Sequence, residues 1–400
     1  MKQFVPLFLL FALLTGCKAP NNNNTPRADS AEKDSTLNKT GTTHSASFYQ
    51  QYEGTIAGKP VVMNLVKNED RYEMSYYYKN IGKIIHPYQK WEPPLSEDTV
   101  YFQETFSNIN QEDWSQTDHE LNLHITQEAI RGFWFTGDGK KRFEVELNAV
   151  ELPGSYDFSV VACEDSLVYA KLAKDTPRAH ISIMLLEPKD TEDRAWVTSL
   201  LLKNYLNTES KKQTGDLLQN IRNYTTAYIN DYKTEMDALK GEGFFKHDEE
   251  SAASFYYEEQ MTSNVLYNQK GFVVLKTDFF TYSGGAHGMY TRNISCFDME
   301  QKKLLTLSDV VTIDSVQLQT LVEKYFRQQN DIAPDVALSN ILFENQLPAN
   351  NNFYFTPNGL GFVYQPYEVA AYAYGIIDVW IPYQALHPWL QPQFVKKMQL

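Results

Sequence analysis

The residues of this chain best suited to chemistry lie in one glycine-rich stretch, TYSGGAHGMYTR, residues 281–292. His287 has the residue type of a general base, and Ser283, four positions earlier, that of a nucleophile. The nucleophile-elbow pattern Gly-x-Ser-x-Gly is absent, and a serine and a histidine this close along one loop seldom reach the geometry of proton transfer. A hydrolase with His287 as base is therefore a hypothesis, but not the favoured one.

The glycines of the same loop suggest a second role. Gly284 and Gly285 allow positive φ angles, so the chain can reverse sharply after a strand and bring its backbone close to a neighbour. The run from Gly284 to Gly288 lacks the lysine and the following helix of a phosphate-binding loop. We therefore favour a structural or partner-binding role for His287 at the tip of a turn.

The irregular segment QPYEVAAYAYG, residues 365–375, is the expected neighbour of His287. Its Tyr367 and Glu368 side chains are suitable hydrogen-bond acceptors for an imidazole N–H. A catalytic His287 would instead lie in a concave pocket beside a hydroxyl or a carboxylate. The candidate carboxylates are Asp278, Asp298 and Glu368.

The sequence contains no pattern of metal ligands. Neither His-Glu-x-x-His nor Cys-x-x-Cys occurs among its 8 histidines and 3 cysteines. His119 and His124 are five positions apart, which would place them on opposite faces of a strand. No carboxylate pair for glycoside cleavage stands out among the 50 acidic residues. We predict no metal and no cofactor.

The N-terminus has the pattern of an export signal. The apolar run from Phe4 to Leu14 follows Lys2 and is shorter than the roughly 20 residues needed to span a bilayer. Leu14-Thr15-Gly16-Cys17 resembles the lipobox of bacterial lipoproteins. We predict a signal peptide over residues 1–16 and a lipid on Cys17 that anchors the protein in a membrane of the cell envelope, facing the periplasm or the surface. The alternative is an ordinary signal peptide.

The charge of the chain limits its partners. The formal net charge is −14, and no basic cluster occurs. An acidic surface argues against binding to nucleic acid and suits a basic protein partner.

The two remaining cysteines lie in strand-like runs. Cys163 occurs in FSVVACEDS, and Cys296 in TRNISCFDM. A disulfide between them is possible outside the cytoplasm. The alternative is two buried thiols that behave as small apolar side chains. Spacing along the chain leaves both possibilities open, because a disulfide requires Cα atoms within about 7 Å.

Two folded regions are predicted after a flexible polar tether, residues 17–47. In residues 48–152, short runs alternate apolar and polar residues, which predicts an all-β antiparallel meander of about seven or eight strands, closed as a barrel or folded as a sandwich. Pro153-Gly154 marks the boundary. Residues 153–400 mix long strand-like runs with about three helices, which predicts an α+β domain with an antiparallel sheet.

The first region is rich in aromatic residues: Tyr76, Tyr77, Tyr78, Trp91, Trp114, Phe133 and Trp134. Exposed aromatic rings stack on sugars and anchor protein interfaces, whereas buried rings fill a core. Successive tyrosines in YEMSYYYKN must face opposite ways on a strand, so at least one is expected to face outward. We expect most of the others to fill the core.

The order of motifs in the second region resembles a known family. GGAHG after a long strand is followed by CFDMEQKKLLTLSDV, a helix, FYFTPNGLGFVYQPYEVAAYAYG and VWIPYQAL. This order resembles the C-terminal domain of unknown function, of the DUF3298 type with a preceding DUF4163-like region, that the anti-sigma factor RsiV and the peptidoglycan deacetylase PdaC share. The resemblance covers roughly residues 153–390.

The resemblance implies an extracytoplasmic α+β domain, which in the anti-sigma factor binds lysozyme. It does not imply an enzyme, because the deacetylase works through a separate metal-dependent domain whose Asp-Asp and His-x-x-x-His ligands find no counterpart here. We expect a lipid-anchored envelope protein that is a non-catalytic binding module, either for a basic protein such as lysozyme or for a cell-wall glycan. The rival hypothesis is an envelope hydrolase that acts on peptidoglycan or another glycan with His287 as base.

Overall fold

Nine antiparallel strands form the first sheet of the protein. The computed structural model describes residues 47–91, 98–104, 118–169, 176–206, 216–244 and 255–400. The strands are β1 Phe48–Ile56, β2 Lys59–Asn68, β3 Arg71–Tyr78, β4 Ile84–Ile85, β5 Tyr88–Lys90, β6 Thr99–Glu104, β7 His119–Ile125, β8 Ala129–Phe135 and β9 Arg142–Ala149. Their order is β4-β3-β2-β1-β9-β8-β7-β6-β5. The predicted signal peptide, Cys17, Trp114 and all of the tether except Ser47 lie outside the described residues.

This sheet curls into a half-barrel around an apolar interior. Its two ends approach each other, because the Tyr72 amide donates to Gln89 Oε1 at 2.8 Å and the Tyr72 and Phe102 rings meet edge to face at 6.3 Å. The predicted antiparallel β region is confirmed. The strand count is higher than expected because the structure contains two short strands, β4 and β5, of two and three residues; a turn at Gly82, with φ 84°, separates β4 from β3.

The three consecutive tyrosines of β3 alternate between the faces of the sheet. Tyr76 is buried inside the half-barrel, and its hydroxyl donates to Glu104. Tyr77 points out of the half-barrel but is also buried, because it packs against the second region and its hydroxyl accepts a hydrogen bond from Gln269 at 2.9 Å. The outward face of this strand is thus a contact surface within the protein.

The second sheet has six strands and lies beyond the predicted boundary. They are β10 Phe158–Val168, β11 Arg178–Pro188, β12 Tyr256–Gln269, β13 Phe272–Ser283, β14 Met289–Asp298 and β15 Lys303–Leu304, in sequential order. All neighbours are antiparallel except β11 and β12, which are parallel. A parallel pair needs a crossover, and two helices supply it, α1 Thr191–Tyr205 and α2 Leu217–Glu242. The α+β class is confirmed, with one parallel pair in the sheet.

A three-stranded sheet and four helices complete the second region. The strands are β16 Phe353–Phe355, β17 Gly359–Tyr364 and β18 Ile377–Pro382; the helices are α3 Leu307–Val310, α4 Ser315–Gln329, α5 Tyr383–Leu386 and α6 Pro392–Met398. The three predicted helices correspond to α1, α2 and α4. The other three have four to seven residues, too few for a helical period to be visible in the sequence.

Among the described residues, no helix combines the length and the apolar character needed to cross a bilayer.

The two regions meet through buried polar contacts as well as apolar ones, and residues 45–400 form one compact unit. Asn268 at the end of β12 is 1% exposed. Its Nδ2 donates to the Tyr49 hydroxyl at 3.0 Å and to the Tyr156 carbonyl at 2.8 Å, while its Oδ1 accepts from the Tyr156 amide at 2.8 Å. One amide therefore connects the first strand of the half-barrel, the link between the sheets and the second sheet.

Replacement of Asn268 tests this junction. Asn268→Ala leaves the Tyr156 amide and carbonyl without their partner and removes one of the two hydrogen bonds of the buried Tyr49 hydroxyl, so we expect the free energy of unfolding to fall by about 2–4 kcal/mol, measured by urea denaturation. Asn148→Ala, at an exposed amide on β9 that accepts from Arg131, is the control and should change it by less than about 0.5 kcal/mol. An unchanged urea midpoint for Asn268→Ala would contradict this role.

The two cysteines do not form the possible disulfide in this structure; both are free thiols. Cys163 lies on β10 and Cys296 on β14, so three strands separate them within the sheet. At about 4.8 Å per strand, the distance is roughly 19 Å, far beyond the reach of a disulfide. Cys163 Sγ contacts Thr225 Oγ1 at 3.6 Å, and the buried Cys296 thiol donates to the Phe353 carbonyl at 3.4 Å. The alternative of two separate thiols therefore describes this protein.

Candidate functional site

The His287 loop is the turn of a β-hairpin. Strands β13 and β14 pair up to Thr281 and Met289, and the chain reverses through Gly284 and Gly285, with φ angles of 81° and 97°. Gly288 is required for a different reason, because a Cβ atom there would lie 2.5 Å from the Phe280 ring. The glycines thus allow the turn and hold its last residue close against the sheet.

The ring of His287 packs against the segment that follows β17. It stacks on the Tyr372 ring with centroids 4.0 Å apart and planes 22° apart. The Tyr367 hydroxyl lies 3.5 Å from His287 Nε2, at the outer limit of a hydrogen bond. The Tyr372 hydroxyl donates to the Gly288 carbonyl at 2.7 Å, which ties the two segments together.

Glu368 and Ser283, the other predicted partners, do not contact the imidazole. Glu368 accepts from Asn350 Nδ2 at 3.0 Å and from the Gln365 amide at 2.7 Å, and so stabilises its own turn. Ser283 is the last residue of β13 that pairs with β12, and it lies opposite Tyr257. The structure therefore brings His287 together with Tyr367 and Tyr372, but not with the predicted nucleophile or carboxylate.

The hydrogen bonds of His287 indicate the roles of its two ring nitrogens. Nδ1 lies 2.9 Å from the Gly288 carbonyl, an acceptor, so this nitrogen carries the proton. Nε2 then has its lone pair toward the Tyr367 hydroxyl. In a catalytic triad, a carboxylate holds the nitrogen opposite the base, and here a backbone carbonyl takes that place. Asp278 and Asp298 form ion pairs with Arg292 and Lys397 instead.

Around His287 lies a partly exposed cluster that we call the aromatic patch, formed by His287, Tyr290, Tyr367 and Tyr372. Tyr367 is 50% exposed. Tyr367 also has a φ angle of 66°, which is uncommon for a residue with a side chain and is held here by the turn that Glu368 closes. Tyrosine is typical of protein-binding surfaces, and the arrangement suits recognition.

Beside the aromatic patch lies a group of buried charges, which we call the charged cleft. Its centre is Asp278, which accepts from Arg292 Nε at 2.8 Å and Nη2 at 3.0 Å, and from Lys276 Nζ at 2.7 Å. Lys276 is 3% exposed. Glu73 of β3 lies across the cleft, with its Oε2 3.8 Å from Lys276 Nζ. The cleft therefore lies where the half-barrel meets the second sheet.

The pKa values of the two carboxyl groups move in opposite directions. Burial alone would raise the pKa of Asp278, but Arg292 and Lys276 outweigh it and hold this pKa well below its usual range. Burial raises the pKa of Glu73, and the attraction of Lys276 compensates only in part. In the centre of the cleft, the surroundings thus stabilise the charged form of Asp278 and destabilise the charged form of Glu73.

This difference predicts a pH-dependent effect of Glu73→Gln. Because the folded state raises the pKa of Glu73, ionisation costs stability as the pH rises above the unfolded value of about 4.3. We expect Glu73→Gln to be more stable than the parent protein at pH 8, by up to about 1 kcal/mol, and equal to it at pH 4. Urea unfolding at both pH values measures this. A variant less stable at pH 8 than at pH 4, relative to the parent, would contradict it.

His86 lies in the same cleft and has an unpaired ring nitrogen. Its Nδ1 is buried and makes no hydrogen bond within the described residues. Burial lowers its pKa well below the usual value, and Arg292 and Lys276 lower it further. A buried polar atom without a partner costs about 1–3 kcal/mol, so a group that reaches this nitrogen would gain that energy.

Sequence patterns contained only part of the signal for this cleft. Lys276 and Asp278 interrupt an apolar strand two positions apart, which places both side chains on one face and is typical of a buried ion pair. Arg292 lies directly opposite Asp278 in the ladder, a register that the sequence does not reveal. No pattern indicated Glu73 or His86. Within the part of the chain that the structure describes, no group of three or more His, Cys, Asp or Glu side chains is arranged to hold a metal ion.

Two family models match this chain. Residues 193–290 match a family described as deacetylase PdaC, and residues 308–384 match a protein family of unknown function, DUF3298. His287 thus belongs to the first matched range, and Tyr367 and Tyr372 to the second. A search of curated proteins found no match.

Two solved structures of DUF3298 family proteins resemble the chain. A protein from Bacteroides fragilis is 20% identical, with a TM-score of 0.53, over 62% of this chain and 99% of its own. A protein from Pseudomonas aeruginosa is 16% identical, with a TM-score of 0.42, over 59% of this chain and 96% of its own. The likeness to the Bacteroides protein concerns the fold. As its motifs predicted, the second region of this chain resembles the DUF3298 and PdaC families, an envelope-associated type of domain without an assigned function.

Proposed function

We propose that this chain is a lipid-anchored protein of the cell envelope that binds a basic protein of the lysozyme type through the aromatic patch. The observation that carries the proposal is the patch itself, in which two segments 80 residues apart present one exposed aromatic surface. In this proposal the protein binds its partner and catalyses no reaction. The lipid anchor rests on the lipobox pattern at Cys17, and the tether of residues 17–47 would hold the folded unit away from the membrane.

The aromatic patch has the properties of a binding hot spot. Its tyrosines offer large contact areas with few rotatable bonds, so little entropy is lost when a partner binds. The stack of His287 on Tyr372 and the hydrogen bond from Tyr372 to the Gly288 carbonyl hold the patch in place before binding. A preformed surface of this kind avoids the cost of ordering loops.

A row of carboxylates next to the patch supplies the charge that a basic partner requires. We call it the acidic edge: Glu164 of β10 and Glu258 of β12, which lie on either side of His180. Glu258 lies opposite Tyr282 in the ladder, two residues before Gly284. Arg178 stacks on Tyr256 nearby and offsets part of this charge. Complementary charge of this type mainly speeds association and makes it sensitive to salt.

The hydrolase hypothesis lacks a matching geometry in the described residues. His287 is exposed, its Nδ1 donates to a backbone carbonyl, and the nearest hydroxyl to its Nε2 is Tyr367 at 3.5 Å. A general base needs its substrate proton within about 2.6–3.2 Å and an enclosing site that excludes water. The binding function therefore agrees better with the surroundings of this ring.

Calorimetry with hen-type lysozyme tests the proposal. The protein without residues 1–16, with Cys17→Ser, is titrated at about 50 mM and about 300 mM salt. We expect a Kd of about 1 μM or tighter at low salt and roughly tenfold weaker binding at high salt. Absence of heat at both salt concentrations, checked by a second method such as surface plasmon resonance, would reject a lysozyme-type partner.

A further inference from the structure

The charged cleft is concave and large enough for a small molecule. Two cavities of about 330 Å³ and about 290 Å³ adjoin there. Both are lined by Glu73, Gln260, Thr262, Asp278 and Arg292. Pockets of this size that combine a few polar groups with aromatic walls are typical of small-ligand sites. None of these five shared residues belongs to the aromatic patch, but Tyr290 of the patch lines the smaller cavity, so the two sites adjoin.

Positive charge exceeds negative charge along the cleft walls. Three cations, Arg71, Lys276 and Arg292, line the larger cavity with two carboxylates, Glu73 and Asp278. Asp278 is fully engaged by Arg292 and Lys276. A net positive cavity is unexpected in a chain whose formal charge is −14, and it favours an anionic ligand.

Arg71 and His86 are the groups with unused hydrogen-bonding capacity. Within the described residues, Arg71 uses one guanidinium nitrogen, Nη1, which donates to Ser182 Oγ at 3.0 Å. The rest of its planar fork matches a carboxylate in bidentate geometry. His86 Nδ1 is buried and unpaired on the wall of the same cavity. Together they form a recognition site for an anion that also carries hydroxyl groups.

Two exposed aromatic rings line the same cavity. Tyr88 is 50% exposed and Trp91 is 65% exposed, and both follow His86 along the chain. Neither ring is needed to fill the core. An exposed indole beside polar groups provides a flat surface for the C–H face of a sugar ring.

We propose that the charged cleft binds an acidic saccharide of the uronic acid type, with its carboxylate at Arg71 and His86 and its ring against Trp91. The carboxylate supplies the anion that the cations favour, and the ring hydroxyls supply partners for Gln260 and Thr262. The sugar ring covers aromatic surface that is otherwise exposed to water. No covalent step is involved, and the saccharide leaves the cleft unchanged.

Matched ligands test this inference directly. The protein without residues 1–16, with Cys17→Ser, is titrated with glucuronate, galacturonate, glucose and lactate by calorimetry and by ligand-observed NMR. Glucose lacks the carboxylate, and lactate lacks the ring. We expect at least one uronate to bind at least tenfold more tightly than either glucose or lactate. An oligogalacturonate titration then shows whether the natural source is a polymer, which would bind more tightly than the monomer.

Variants assign the binding to the cleft. Arg71→Gln and Trp91→Ala should each weaken uronate binding at least tenfold. Arg142→Gln should not change it, because this exposed arginine lies over Phe133 at the start of β9 in the half-barrel. Thermal unfolding of each variant checks the fold, and Trp91→Ala removes a ring exposed enough to leave it intact. Equal binding of glucose and glucuronate, binding unaffected by both variants, or no uronate binding at about 10 mM would each overturn the inference.

Discussion

Asp278→Asn is expected to lower the free energy of unfolding at pH 7 by about 3–5 kcal/mol, because it removes the carboxylate that the two buried cations, Arg292 and Lys276, share. The Asp278 carboxylate accepts hydrogen bonds from Nε and Nη2 of Arg292 and from Nζ of Lys276. The amide has almost the same shape as the carboxylate but carries no charge, and its NH₂ group would face other donors. Loss of a buried pair in this way ranks among the most destabilising single changes.

The pH dependence separates this explanation from a simple packing defect. The folded state lowers the pKa of Asp278, so the stability from its charge is present above the unfolded value of about 3.9 and is lost as the pH falls through the folded value. The difference between parent and Asp278→Asn should therefore be constant between about pH 5 and pH 8 and shrink below about pH 4. Urea unfolding across this range measures it.

Asp157→Asn provides the matched control. Asp157 forms an exposed pair with Lys189 at 3.5 Å, and its side chain is 65% exposed. We expect the same chemical change there to alter stability by less than about 0.5 kcal/mol. If Asp278→Asn were as mild as this control, water would have to screen the cleft charges, and the cleft would not be a buried charge network.

Tyr367→Ala is expected to weaken binding of the lysozyme-type partner about 30-fold or more, equivalent to about 2 kcal/mol, with little change in stability. The ring is 50% exposed and is the most accessible tyrosine of the aromatic patch, beside His287 and Tyr372. Exposed rings contribute little to folding, whereas a ring that a partner buries completely contributes strongly to affinity. Calorimetry of the variant and of the parent protein at the lower salt concentration measures the loss.

Tyr88→Ala is the control for this experiment, because Tyr88 is also 50% exposed but lies in the half-barrel beside the charged cleft. It should bind the partner with unchanged affinity. A similar loss in both variants would indicate a general effect of exposed tyrosines and not a specific surface. Full affinity in Tyr367→Ala would remove the aromatic patch from the binding site and leave the acidic edge as the remaining candidate.

Local patterns were sufficient for most secondary structure. The alternation of apolar and polar residues predicted the half-barrel strands, and the three-to-four residue period predicted α1, α2 and α4. In the structure, Asp314 caps α4, because its side chain accepts hydrogen bonds from the Val316 and Gln317 amides. The short helices α3, α5 and α6 were missed, because four to seven residues do not show a period.

These local patterns could not predict which distant segments pair with each other. The parallel neighbours β11 and β12 are separated by two helices, and the burial of Tyr77 depends on the second region that covers it. A strand pattern shows which side chains share a face, but not what that face will contact. The free thiols of Cys163 and Cys296 follow from the strand order for the same reason.

Glycine spacing, hydrophobic periodicity and the order of motifs can be read directly from the sequence. They were enough to predict the fold class, the turn at His287 and the segment beside it. Tertiary packing alone placed Glu73 and His86 next to Lys276, Asp278 and Arg292, which lie about 190 to 220 residues further along the chain. Charges interact through space over a few ångströms, whatever their separation in sequence. A charged cleft therefore forms only when two sheets pack together, and its residues look unrelated until then.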